Sequence, residues 1–148
     1  ILKEGIFFKE VRIFLDANVL VAVLNKEYPL FPQAARLLSL TDSKKHTVWT
    51  SPICLAIAFY FAEKKSGSEL AKRKIALLTE KLSISDVGAT EVRETSSNQK
   101  IYDFEDGLEY YAAKNYGCLV IVTEDDSDFY FSDIEVIGTD DFLRKYIL

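Results

Sequence analysis

Two short runs, VRIFL at Val11–Leu15 and CLVIV at 118–122, are apolar almost without alternation. A strand with one wet face alternates apolar and polar side chains. A strand covered on both faces does not, and that is the condition of strands inside a parallel sheet. Parallel neighbours need crossovers, normally helical, and the segments between these runs have helical period. VRIFLD passes directly into a helix, ANVLVAVLN, that ends before Pro29. A second helix begins near Pro32, with Ala35, Leu37, Leu38 and Leu40 on its apolar stripe. HTVWT is a β-branched and aromatic strand, and Ser51-Pro52 then opens the helix SPICLAIAFYFAEKK. In ELAKRKIALLTEKL the expected core stripe is Leu70, Ile75, Leu77, Leu78 and Leu82. LSISD reads as a short strand and TEVRETSSNQK as weak helix or loop. DFEDGLEYYAAKNYG is a helix closed by Gly117, IEVIG a strand and DDFLRKYIL a final helix. The alternation predicts an α/β fold, a three-layer sandwich with a central, mostly parallel sheet flanked by helices, in one domain over residues 1–148.

Composition narrows the function. A net charge of −5 argues against broad binding to nucleic-acid phosphates, which rests on many Lys and Arg contacts. No apolar run approaches the roughly 18–20 residues that cross a bilayer. The opening ILKEGIFFKE mixes charges with apolar residues and offers no small-residue cleavage site, so a secretory leader is not expected and a cytoplasmic location is. The chain has no methionine, even at its first position, so the natural start or some modified residues are expected to be missing from it. Its two cysteines, Cys54 and Cys118, sit in apolar runs and read as buried thiols. The aromatic pairs in FYF and YY read as core at helical positions, and a helix as apolar as LAIAFYFAEKK either has surface to spare for a homodimer face or a partner groove, or is a central helix buried nearly all round.

Chemistry is expected at the carboxyl ends of the strands, where parallel sheets bind ligands. The first strand ends at Asp16. The CLVIV strand ends in TEDDSD, which offers Asp125, Asp126 and Asp128, and the helix before it opens with Asp103 and Asp106. Carboxylates brought together repel, and a divalent cation removes the conflict; oxygen ligands suit Mg²⁺ or Mn²⁺. Such an ion would also let an acidic protein hold a phosphodiester, with Lys64, Lys65, Lys72, Arg73 and Lys74 steering the rest of a nucleic acid.

Each acid has a plainer explanation on its own. Asp16 would cap the helix that follows. Asp103, Glu105 and Asp106 suit a helix N-terminus. A wheel through Phe104, Leu108, Tyr111 and Ala112 turns Asp106 toward solvent, and TEDDSD would pass for a polar turn. Only the joint pattern favours a metal. His46, the single histidine, has no partner pattern, and GxSxG, P-loop and GxGxxG strings are absent.

RIFLDANVLVAVL, SPICLAIAFYFAEKK, DFEDGLEYYAAKNYG and VTEDDSDF, in this order and spacing, resemble the PIN domain, the fold of many toxin ribonucleases in bacterial toxin–antitoxin pairs. The likeness runs from about Val11 to the C-terminus. It implies a parallel sheet between helices and three or four acids that bind Mg²⁺ or Mn²⁺ to cut RNA. By position, Asp16, Asp106 and Asp125 are implied as catalytic metal ligands, with Asp128 assisting at the ion. Asn18, Asp103 and Thr123 are implied as supports. RNA as substrate and an antitoxin protein as partner follow from the same likeness. One departure stands out: the family commonly has Glu six residues past the serine that opens the third helix, and here that count from Ser51 lands on Ile57. An isoleucine binds no metal. Glu63, still further along, is too far round the helix to replace it. The alternative implied is a weakened or inactive PIN-like module that binds RNA or protein.

Overall fold

The computed structural model describes residues 10–147, so the N-terminal stretch considered above as a leader lies outside the described residues. Among the described residues, five parallel strands form one sheet: β1 (Val11–Leu15), β2 (His46–Thr50), β3 (Ser83–Ile84), β4 (Val120–Val122) and β5 (Glu135–Ile137), in spatial order β3-β2-β1-β4-β5. The helices are α1 (Ala17–Asn25), α2 (Phe31–Leu38), α3 (Pro52–Ser66), α4 (Ser68–Thr79), α5 (Ala89–Ser97), α6 (Phe104–Lys114) and α7 (Thr139–Tyr146). This is the expected α/β architecture. None of the helices described is long and apolar enough to cross a membrane.

The unalternating runs are where the core is densest. Ile13, Phe14 and Leu15 of β1 and Val120, Ile121 and Val122 of β4 are all fully buried, covered on both faces as a central parallel strand must be. Leu15, Val122 and Ile137 lie in register across β1, β4 and β5, so the strands end level and release their next residues along one edge. The Asp16 N–H donates to Val122 O at 3.0 Å and the Thr123 N–H to Ile137 O at 3.0 Å, carrying the alignment one residue past the sheet. Strand order reverses between β1 and β4. Right-handed crossovers therefore send the helices joining β1, β2 and β3 to one face and those joining β3 to β4 to the other, leaving a crevice above the two central strands.

Helix ends follow local chemistry. Ser51 caps α3 by accepting the Cys54 N–H at 3.2 Å, with Pro52 at the first position. Past the end of α6, Gly117 takes φ 70° while its N–H and that of Cys118 reach the Lys114 and Ala113 carbonyls. TEVRETSSN, left between helix and loop by its sequence, is helical as α5. The Gly88 N–H donates to Glu91 at 2.8 Å, Asn115 past the end of α6 donates to the same carboxylate at 2.7 Å, and α5 packs along α6. The stripe expected on α4 is corrected: Ala71 and Leu78 are buried, whereas Leu70 and Leu77 face solvent, because α3 meets α4 on the side of its small residue. The FYF aromatics are not all core either, since Tyr60 and Phe61 are exposed. Both cysteines are free and buried.

Candidate active site

Above the ends of β1 and β4 lies a cavity of about 340 Å³ whose walls include Asp16, Asn18, Val21, Ile57, Phe61, Glu105, Asp106, Glu109 and Asp128. Asp16 comes from the end of β1 and caps α1. One of its oxygens accepts the Ala17 N–H at 2.6 Å and the other accepts the Thr123 hydroxyl at 2.7 Å. The capping explanation and the site explanation are therefore both satisfied by one carboxylate. Thr123, the first residue past β4, is a saturated hub: its oxygen also accepts from Asn18 Nδ2 and from the Asp125 N–H, both at 3.1 Å. Asn18 completes the bridge by accepting the Glu124 N–H at 3.2 Å. Three hydrogen bonds thus tie the start of α1 to the turn after β4 and fix the Asp16 rotamer.

Asp106 enters from the first turn of α6, and Asp103 caps that helix by accepting the Asp106 N–H at 3.2 Å. The helical wheel that turned Asp106 outward chose the wrong stripe. Phe104 is exposed, and the buried face of α6 is Gly107, Glu109, Tyr110, Ala112 and Ala113, which swings Asp106 into the cavity wall. Burial first, then repulsion from Asp103, Asp128, Asp16 and Glu105, pushes the Asp106 carboxyl up to about 7. Asp128, in the short 3-10 turn Asp126–Phe129, also lines the cavity and is raised by burial and by its hydrogen bond with Asp125. Asp125 stands beside Asp128 rather than in the wall, and its own carboxylate accepts from the Ser127 hydroxyl at 3.4 Å.

The residue that the sequence did not single out is Glu109, three positions after Asp106. It is only 2% exposed. Cys54 Sγ donates to its Oε1 at 2.8 Å. Ligand atoms of Asp16, Cys54 and Glu109 lie within 4.8 Å of one another, as do those of Glu105, Asp106 and Glu109, so Glu109 joins the two sides of the site. Burial, then a hydrogen bond with Asp16 and the negative charge there, pushes its carboxyl up to about 11. The available signal was its spacing: residues three apart share a helix face, so an acid at 109 accompanies one at 106. Ile57 does face the cavity, an apolar side chain in its wall; Glu63 is exposed and lies outside the lining.

The basic cluster expected to steer nucleic acid is spent in part elsewhere. Lys65 donates to the Asn25 carbonyl, and Lys74 Nζ donates to Leu24 O at 3.2 Å and Ser66 Oγ at 3.1 Å. Both serve the carboxyl end of α1, where the helix dipole favours a cation. Lys72 and Arg73 remain exposed.

Comparison with known proteins agrees with the fold. The sequence profile of the PIN domain matches residues 12–127. Ribonuclease VapC1 of Aquifex aeolicus (strain VF5) is 27% identical over 139 residues, covering 91% of this chain and 95% of that protein. Two solved structures share the fold. VapBC2 from Rickettsia felis, bound to a DNA fragment from its promoter, superposes with a TM-score of 0.65 at 21% identity, covering 86% of this chain and 98% of the other. DNA-bound VapBC from Salmonella typhimurium superposes with a TM-score of 0.67 at 18% identity, covering 87% and 98%.

Proposed function

The chain belongs to the PIN-domain family, and from that premise we propose that it is an endoribonuclease dependent on Mg²⁺ or Mn²⁺, the toxin of a toxin–antitoxin pair. The observation that carries this reading is the gathering of Asp16, Asp106, Asp128 and Glu109 around one cavity at the switch point of the sheet. The donor set fits a hard divalent cation. Burial, then the charges of Glu109 and Asp16, push the Cys54 thiol well above its ordinary value, so it remains an S–H donor and leaves only oxygens as ligands. The crowding that raises Asp106 and Glu109 is the strain a divalent cation relieves.

Asp16, Asp106 and Asp128 would hold the ion, with Glu109 as the further acid from α6 and Asp125 steadying Asp128. Bound there, the cation supplies positive charge to the phosphodiester oxygens and lowers the pKa of a water. The chain's own part is orientation. Thr123 and Ala17 fix the two oxygens of Asp16, Asn18 locks the turn after β4 to α1, and Val21, Ile57 and Phe61 form a dry wall on one side. Burial and the neighbouring Asp16 charge favour the protonated form of Glu109, which lessens the repulsion between the two carboxyls. The products of the hydrolysis would be a 5′-phosphate and a 3′-hydroxyl.

The likeness to ribonuclease VapC1 and to the VapBC structures supports RNA as substrate and an antitoxin as partner. Tyr60, Phe61, Leu70 and Leu77, exposed on α3 and α4, offer an apolar face to that partner or to a second copy. Ile57 favours a second reading, a PIN-like module that binds without cutting. A panel of structured RNAs incubated with Mn²⁺ decides between the two. Cleavage by the native chain that disappears in Asp16→Asn supports the nuclease; no product, or equal product from both proteins, supports the module.

A further inference from the structure

Beside the acidic cavity stands an aromatic pair that the metal chemistry does not use. Tyr102 immediately precedes Asp103, the cap of α6, and is 87% exposed; Tyr130 follows Asp128 by two residues and is 57% exposed. Their rings stack, with centroids 5.9 Å apart and planes 26° from parallel. The stack is held in place. The Tyr130 hydroxyl accepts the Tyr102 N–H at 3.3 Å and donates to Lys100 O at 2.6 Å, and the Tyr130 ring meets Phe131 edge-on at 5.2 Å. Phe131 meets Tyr110 of the core at 5.2 Å in the same manner. A line of aromatic contacts therefore runs from the core to the surface and ends on the outer face of Tyr102.

Burial gives no reason for a ring this exposed to be braced in this way. Its position does: two residues of chain span at most about 7 Å, so Tyr130 is that close, backbone to backbone, to an acid of the cavity wall. We infer that the outer face of Tyr102, backed by Tyr130, is a stacking platform for an unpaired base of the RNA strand whose phosphodiester enters the cavity. The inference rests on the endoribonuclease reading and adds a contact that positions the strand, one that needs an unpaired base because a paired base offers no free face. It also meets the electrostatic problem. A protein of net charge −5 gains little from phosphates, whereas stacking is indifferent to charge and to sequence.

The test is the affinity of a fluorescein-labelled, mixed-sequence oligoribonucleotide, single-stranded, for the Asp16→Asn chain in Mn²⁺, measured by anisotropy over a range of salt. Adding Tyr102→Ala or Tyr102→Leu is expected to weaken binding by about five- to a hundredfold, the worth of one stacked base, whereas Tyr102→Phe retains it. The salt dependence should stay the same in all four proteins, because no phosphate contact is lost. The same oligonucleotide annealed to its complement should bind more weakly and be insensitive to Tyr102. Tyr102→Leu binding as tightly as its parent, or a loss that appears equally on the duplex, overturns the platform. Native cleavage of RNA separates the two levels of the argument. RNA that is cut by the native chain yet held equally by Tyr102→Ala removes the platform alone; a native chain that neither binds nor cuts RNA removes the nuclease reading and the platform with it.

Discussion

Ligand atoms of Glu109 and Asp16 lie within 4.8 Å of one another, so a cation held by both would compete with the proton on Glu109. Glu109 keeps its proton far past neutrality because its carboxyl is buried and faces the Asp16 charge, and an ion that uses both as ligands must displace it. Mn²⁺ binding at neutral pH should therefore release protons, seen as calorimetric heats that change with the ionisation enthalpy of the buffer. Glu109→Gln keeps the shape without the acid, so it should reduce the release to the part that Asp106 supplies and weaken Mn²⁺ by about tenfold or more. Heats from the native chain that ignore the buffer would place the ion elsewhere. Glu109 also shows where sequence reading stops at this scale. Asp16 and Asp128 could be picked out because they follow apolar strands, where a charge needs a reason. A glutamate inside a helix has an ordinary explanation in solvent, and only the packing of α6 against α3, β2 and β4 denies it that solvent.

At the scale of elements, α6 delivers three acids to the cavity, Glu105, Asp106 and Glu109, and its seat depends on Gly107. A methyl group there would lie 2.4 Å from Thr95 Cγ2 of α5 and 2.9 Å from Ile101 Cγ2, closer than carbon atoms pack. Gly107→Ala should cost about 1–3 kcal/mol, read as a lower denaturant midpoint with the slope unchanged. It should also weaken Mn²⁺, because relieving the clash pushes Asp106 and Glu109 away from Asp16. A variant as stable as the native chain would mean that α5 gives way freely. The same contact explains which elements could be read in advance. Strands β1, β2 and β4 and helices α1 and α3 are legible because their apolar residues set their period. Apart from Tyr110, the buried face of α6 is made of Gly, Ala and Glu, which give only a weak apolar signal, and α5 takes its helical form from Glu91 and Asn115 more than from any stripe.

For the whole molecule, the strand order explains why acids from β1, α6 and the turn after β4 meet at all. That meeting makes global stability depend on pH and cation together. Unfolded, Asp and Glu titrate near about 3.9 and 4.3. In the fold Asp106 is raised to about 7 and Glu109 to about 11. Groups raised in this way favour the fold fully below their unfolded values and lose that contribution as pH rises toward the folded ones. Glu91 works in the opposite sense, lowered first by its bond from the Gly88 N–H, but its effect is confined to pH near and below its unfolded value. Between about pH 5 and pH 7 the metal-free chain should therefore lose stability on account of Asp106, and Asp106→Asn should flatten that slope. A cation that binds only the folded state adds stability with its occupancy, about 2.7 kcal/mol at a hundred times its Kd. The two effects reinforce each other, because protons compete with the ion at Asp106 and Glu109. The difference in Tm between Mn²⁺ and EDTA should thus be small near pH 5 and grow through about 7. A difference that stays constant across that range, or one that survives in Asp106→Asn with its full pH dependence, would mean that the cation is held away from these carboxyls.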